Sequence, residues 1–372
     1  MPKINSLLAK FILTPGPTDE IPVKVSPLVA AIRSTRYVHV KEIYIWDVPM
    51  KHEDIATLAL LLEQSIYPIQ YLELLECSIN SYGVDRLERS ICMSNLTALV
   101  LDYNKFGDYG CSGLCRGLFG NRVLLRLSLC YCDLGPQSGE LLGKTISNTS
   151  VRDLYLDGNF LECEGVIELI KLIADTAEME AIERAERKDG EIADSNSLTV
   201  PGVASAMSSV SRASSSVSVR SKPGSASSRM PSTGKMGKKG KKKKSAKKKK
   251  EPSPPPVVGP WIQKLHLLNN GIDGHGLGST LGPVMCMKMF RKLITHSESL
   301  QELDLDDNAI GDLGGREILE ALMDRKEGGL SPMKINVSHR LNSSIFAEIN
   351  KLGSGLKKKG KKSKGKPGKK RI

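Results

Sequence analysis

The chain has 372 residues, 40% hydrophobic and 26% charged, with a formal net charge of +13. That length admits two or three globular domains, and no apolar run approaches the roughly 20 residues of a membrane span, so membrane insertion is not expected. The opening MPKINSLLAKFIL is interrupted by Lys10, which argues against a secretory signal, and the eight cysteines include no C-x-x-C pair, which argues against a disulfide framework or a zinc site.

Residues 1–39 show no period and are read as an N-terminal extension and cap. At Val40 an eleven-residue frame begins, apolar at its first, fourth, sixth and eleventh places and favouring Asn or Cys at its ninth. VKEIYIWDVPM supplies Val40, Ile43, Ile45, Val48 and Met50, and IQYLELLECSI supplies Ile69, Leu72, Leu74, Cys77 and Ile79. LTALVLDYNKF (Leu96, Leu99, Leu101, Asn104, Phe106), LLRLSLCYCDL (Leu124, Leu127, Leu129, Cys132, Leu134) and VRDLYLDGNFL (Val151, Leu154, Leu156, Asn159, Leu161) follow. Their start-to-start spacings of 29, 27, 28 and 27 residues leave room in each for a short strand and a helix. The helical halves carry the matching stripe. Cys111, Leu114, Cys115 and Leu118 fall at i, i+3, i+4 and i+7, and so do Val166, Leu169, Ile170 and Ile173. The fifth helix is expected to continue through charged turns to about Asp189, closing a first block of five repeats over 40–189.

Residues 190–260 break the frame. Their first part is rich in Ser, Gly and Pro and lacks aromatic residues, so it cannot bury enough apolar surface to offset its ordering entropy. A disordered insert is expected there, running through the lysine run and EPSPPP until Trp261 marks the return of order. IQKLHLLNNGI (Ile262, Leu265, Leu267, Asn270, Ile272) and LQELDLDDNAI (Leu300, Leu303, Leu305, Asn308, Ile310) resume the frame. LSPMKINVSHR, from Leu330, is read as a decaying eighth copy, which places repeats six to eight over 261–353 and a disordered lysine-rich tail over 354–372. Because the later copies keep the earlier frame, the stack is expected to close across the insert.

Units that each bury one strand face and one helix stripe against their neighbours make an α/β solenoid. The ninth-position series Cys77, Asn104, Cys132, Asn159, Asn270, Asn308 resembles leucine-rich repeats of the ribonuclease-inhibitor-like subclass. Asn at this place can satisfy inward-pointing backbone groups, and Cys can pack as a small apolar residue. The resemblance implies a right-handed horseshoe with parallel strands on the concave face and helices outside. The basic insert and tail resemble those of leucine-rich-repeat proteins of ciliated cells. Activators of the Ran GTPase share the repeat type but end in acidic tails, whereas this chain ends in lysines, so their activity is not implied.

Catalytic and cofactor signatures are absent, and neither an enzyme, a cofactor nor a metal is expected. GELLGKT, Gly139 to Thr145, is one residue short of a phosphate-binding loop and falls inside a repeat helix. His266 sits on a strand with no nucleophile and carboxylate spaced to join it, which makes it a contact residue rather than a base. Cys77 and Cys132 belong to the ladder and Cys111 and Cys115 to a helix stripe, leaving Cys130 as the one thiol expected to be accessible.

The interaction surface is more informative. Side chains alternate along a strand, so the third, fifth and seventh positions point to the concave face. Tyr44, Trp46, Tyr71 and Glu73 form an aromatic and apolar end; Arg126, Asp153, Tyr155, Asp157, Lys264, His266, Glu302, Asp304 and Asp306, with Asp307 beside them, form a largely acidic remainder. Aromatic anchors beside acidic rows suit a basic protein partner, the plain alternative being a solvated charged surface.

The positive charge is concentrated. Lys235–Lys250 holds 11 lysines and Lys357–Arg371 ten Lys or Arg, neither with an acid, so without them the chain is about −8. Such runs suit an acidic polymer, either the glutamate-rich tails of microtubules or nucleic acid; nuclear import and simple solubility are the other readings. Neither run contains aromatics, and arginine is scarce, which weighs against base recognition. Ser211, Ser214, Ser215, Ser216 and Ser245 lie where phosphates would oppose the lysines and are candidate regulatory phosphosites. The expectation is a monomeric, non-enzymatic adaptor of the cytoplasm, set on the cytoskeleton or in the cilium. The alternatives are a nuclear scaffold on RNA or DNA, or a regulator of a small GTPase or other enzyme through repeat docking.

Overall fold

A computed structural model describes residues 8–17, 21–196, 258–276 and 279–353. The repeats belong to one unit drawn from residues 1–188 and 255–372, and residues 189–254 form another; the architecture below is that of the first. Its strands are β1 (Lys10–Leu13), β2 (Glu42–Trp46), β3 (Tyr71–Leu75), β4 (Ala98–Val100), β5 (Arg126–Ser128), β6 (Asp153–Tyr155), β7 (Lys264–His266), β8 (Glu302–Leu305) and β9 (Lys334–Val337). Helices alternate with them: α1 (Val25–Ser34), α2 (His52–Leu62), α3 (Ser81–Met93), α4 (Gly107–Leu118), α5 (Pro136–Ile146), α6 (Glu162–Asn196), α7 (Gly282–His296), α8 (Gly311–Glu327) and α9 (Ser343–Leu352). The strands form one parallel sheet in strict chain order.

The frame is the cause of the register. Leu72 lies opposite Leu99, Leu99 opposite Leu127 and Leu127 opposite Leu154, so every fourth-position side chain meets its counterpart. The fourth and sixth positions are fully buried, as are the helix-stripe residues Cys111, Leu114, Val166 and Leu169. Leu154 then faces Leu265 across the parallel β6–β7 pair, so the stack closes over an interval of more than 100 residues. Residues 1–39, read as extension and cap, supply β1 and α1, and β1 pairs with β2 at the sheet edge.

The ninth-position ladder works as its chemistry requires at Asn104, Asn159 and Asn308, whereas Asn270 donates to the Leu156 carbonyl at 2.9 Å but its buried Oδ1 has no hydrogen-bond partner among the described residues. Asn104 Oδ1 accepts from the amides of Cys77 and Ile79, both at 3.0 Å, while its Nδ2 donates to the Leu74 carbonyl at 2.7 Å. Asn159 repeats this toward Cys132, Leu134 and Leu129, and Asn308 toward Asn270, Ile272 and Leu267. Cys77 and Cys132 pack without exposure and point their thiols at the carbonyls of Ile45 and Leu101.

Three expectations change. β8 and β9 pair Leu303 with Ile335, which sets the last copy two residues later than a start at Leu330; Arg340, not Ser338, takes the ninth place. Leu330 imitates a frame start, and Met333, Ile335 and Val337 are all buried, but the pairing of Leu303 with Ile335 and Leu305 with Val337 puts the fourth and sixth places at Ile335 and Val337. Second, α6 passes Asp189 and runs to Asn196, and its extension is tied to the next repeat. Lys292 pairs with Asp175 at 2.8 Å and with Glu178, while Arg184 donates to the His296 carbonyl at 2.8 Å and reaches Glu298 at 3.3 Å. Third, Cys130 is buried because the strand-face side chains around it are close-packed, and Cys92 on α3 is the exposed thiol.

The glycines of GELLGKT serve packing. A Cβ on Gly139 would strike the backbone of Gly165 on α6, and one on Gly143 would strike Glu168 and Leu169. Lys144 is engaged with Glu140 one turn earlier. Near the other end, Arg325 of α8 is buried and donates to the carbonyls of Ile294, Ser297, Leu300 and Ser331, at 2.7–3.0 Å. It staples the turn after α7 to the start of β9, and burial lowers its pKa.

Candidate functional site

The helix-free face of the sheet is the face the resemblance makes concave, and the register aligns its third, fifth and seventh positions into three rows. At the N-terminal end the aromatic residues meet. Tyr44 stacks on Tyr71 with ring centroids 4.9 Å apart and lies edge-on to Trp46 at 5.9 Å. Glu73 accepts from Trp46 Nε1 at 2.7 Å and from the Tyr71 hydroxyl at 2.6 Å, and Lys10 Nζ sits 3.8 Å over the Tyr44 ring. Burial, the bond to Glu73 and its charge push the Tyr71 hydroxyl well above its ordinary range, so it stays protonated and donating.

The third-position row is a charge ladder. Arg126 and Lys264 flank Asp153 at 3.4 and 2.8 Å, and Glu302 sits between His266 at 3.3 Å and Lys334 at 3.3 Å. Arg126 also lies over the Tyr155 ring, which packs against His266 at 4.7 Å. Asp153 and Glu302 are therefore already compensated within the sheet.

Elsewhere the carboxylates are not. Asp102, Asp157 and Asp304 have no Lys or Arg partner among the described residues, and burial raises the pKa of each. Hydrogen bonds offset this only in part: Asp102 accepts from Ser128 and the Cys130 amide, Asp157 from the Leu268 amide, and Asp304 from Asn336 and the Asp306 amide. His266 Nδ1 stands 4.0 Å from Asp157, and Asp307, at the edge, reaches Arg340 at 3.6 Å. So all fourteen candidate contact residues lie on or beside one face, but the acidic rows divide into a neutralised third-position row and an open remainder.

A model of the leucine rich repeat family matches residues 92–115 and 296–319, the strand and adjoining helix ends of repeats three and seven. The chain is also similar to mouse (Mus musculus) NACHT, LRR and PYD domains-containing protein 4B, with 29% identity over 140 residues. That match spans 37% of this chain and 16% of the mouse protein. With nine strands in one parallel sheet, a helix in each repeat and the asparagine ladder in place, the family is decided.

The chain is a leucine-rich-repeat protein.

Leucine-rich repeats are interaction modules, and two features of this set were not read from the sequence. The eighth position of each of the seven framed repeats is left-handed: Asp47, Glu76, Tyr103, Tyr131, Gly158, Asn269 and Asp307 all have φ between +50° and +68°. Asp, Asn and Gly tolerate this conformation and were the available signal; a tyrosine adopts it rarely. The other feature is the third-position charge alternation, visible only once the rows are aligned. Among the described residues no group of His, Cys, Asp or Glu is arranged to hold a metal, and no helix is long and apolar enough to cross a membrane. The lysine runs and the candidate phosphosites Ser211, Ser214, Ser215, Ser216 and Ser245 lie outside the described residues.

Proposed function

We propose that this leucine-rich-repeat protein is a monomeric, non-enzymatic scaffold that holds a protein partner on its strand face and attaches to an acidic polymer through Lys235–Lys250 and Lys357–Arg371. The carrying observation is the division of the strand face into an aromatic cluster around Tyr44, Trp46 and Tyr71 and a set of carboxylates, half-buried Asp102 and Asp157 and buried Asp304, that no Lys or Arg of the described residues neutralises. Aromatic anchors supply contact area, and desolvated carboxylates favour a basic partner. The polymer we propose is cytoskeletal, with the axoneme as its setting, because runs of lysine need no fixed geometry to engage glutamate-rich tails. KKKKSAKKKK also matches a basic tract, which keeps a nuclear scaffold on RNA or DNA as the second reading.

Co-sedimentation of the full-length protein with intact microtubules, with microtubules stripped of their acidic tails, and with single-stranded RNA tests the attachment. Binding to intact microtubules should fall steeply with salt and vanish when residues 235–250 and 357–371 are both removed. Binding that survives the double deletion would overturn it, and a preference for RNA would favour the nuclear reading. Phosphates at the five serines, each about −1.5 to −2 in charge, should weaken the same attachment.

A further inference from the structure

Tyr103 and Tyr131 hold the eighth position in neighbouring repeats, and their rings stack with centroids 4.6 Å apart and planes within 10°. That separation is close to one strand spacing, so the rings stand across the row and present their faces along it. Both residues are left-handed, at φ +60° and +55°, a backbone state that bulky side chains rarely adopt. On the far side of Tyr131 the eighth position is Gly158, where any Cβ would strike the Tyr131 ring. On the near side of Tyr103 it is Glu76, exposed and without an ion-pair partner among the described residues. Tyr103 is 48% exposed, and no described cation lies over either ring.

The same sheet shows twice what such an arrangement receives. Lys10 lies over Tyr44, whose hydroxyl donates to Glu42 at 3.1 Å, and Arg126 lies 5.7 Å from the Tyr155 centroid while pairing with Asp153. In each case a cation covers a tyrosine face beside a carboxylate. The Tyr103 face has the aromatic surface and the carboxylate, Glu76, with Asp102 next in the chain, but not the cation.

We propose that the outer face of Tyr103, backed by Tyr131 and bordered by Glu76, is a docking site for an arginine side chain of a protein partner. Arginine fits better than lysine because its planar guanidinium can lie flat on the ring while its N–H groups point edgewise to a carboxylate. The site lies at the loop edge of the sheet and stands apart from the strand-face rows proposed above.

The test uses full-length protein with labelled tyrosines and a blocked hexapeptide carrying two arginines, compared with its citrulline counterpart. The arginine peptide should shift the ring signals of Tyr103 and Tyr131. The citrulline peptide should bind at least tenfold more weakly, as should the arginine peptide to Tyr103→Ala or Glu76→Gln, while Tyr103→Phe, which keeps the ring, should bind like the parent. Equal binding of both peptides, or loss in Tyr103→Phe as well as Tyr103→Ala, would overturn the proposal. Shifts confined to Tyr44 and Tyr155 would also overturn it while leaving the strand-face reading intact.

Discussion

Asn104 makes five hydrogen bonds, and two of them satisfy amides of the preceding repeat. Asn104→Ala would leave the Cys77 and Ile79 amides buried without acceptors. At about 1–3 kcal/mol for each of the two orphaned amides, the expected loss is about 2–6 kcal/mol, measured by urea unfolding. A loss below about 1 kcal/mol would mean that the ladder is incidental to the stack. Asp304 is the opposite case. Burial raises its folded-state pKa above the ordinary carboxylate range, so the native state binds protons more readily than the unfolded chain there. Its contribution is therefore adverse at neutral pH and is relieved as pH falls through the raised pKa toward the unfolded value. Asp304→Asn keeps an acceptor for the Asp306 amide and removes the charge. The variant should be more stable than the parent at pH 7, with the gap narrowing as the pH is lowered into the carboxylate range. A gap that is constant with pH would contradict this.

At the scale of elements, the helices approach closely where glycines face neighbouring backbone. Gly139 of α5 meets Gly165 of α6, and Gly117 of α4 meets the Glu88 backbone of α3. Gly139→Ala should cost about 1–3 kcal/mol by overpacking and lower the melting temperature, whereas Lys144→Ala on the same helix should leave it unchanged. Equal effects of the two would show that the glycines are not contact points. The strands, the α4 and α6 stripes and the ladder were legible because each repeats a local pattern: Leu99, Leu127 and Leu154 recur at near-constant spacing and become partners across strands. What was not legible depends on contacts between distant residues or on conformation without a residue signature. Lys292 and Asp175 are 117 residues apart, so their ion pair leaves no local trace. The left-handed state of Tyr103 and Tyr131 is hidden because tyrosine is not a turn residue. Cys130 alternates correctly onto the strand face, but alternation gives direction and not depth, and its neighbours bury it.

For the whole molecule, a chain of net charge +13 consists of two cationic runs and a remainder of about −8. Strand alternation gives the candidate face and the register divides it: Asp153 and Glu302 are neutralised in place, while Asp102, Asp157 and Asp304 have no Lys or Arg partner among the described residues. On the proposed function, binding should be sensitive to the charge of the open carboxylates and little affected by changing the compensated pair. We propose that a protein partner occupies the strand face. The most direct test places a photo-cross-linking residue at Tyr71 or Tyr155 on that face, or at Tyr109 or Met285 on the exposed sides of α4 and α7, in extracts of ciliated cells. The two strand-face positions should capture the same protein, the helix positions should not, and Trp46→Ala with Asp157→Asn should abolish the product. Capture of that protein from the helix positions alone, or a product unaffected by the two substitutions, would contradict it.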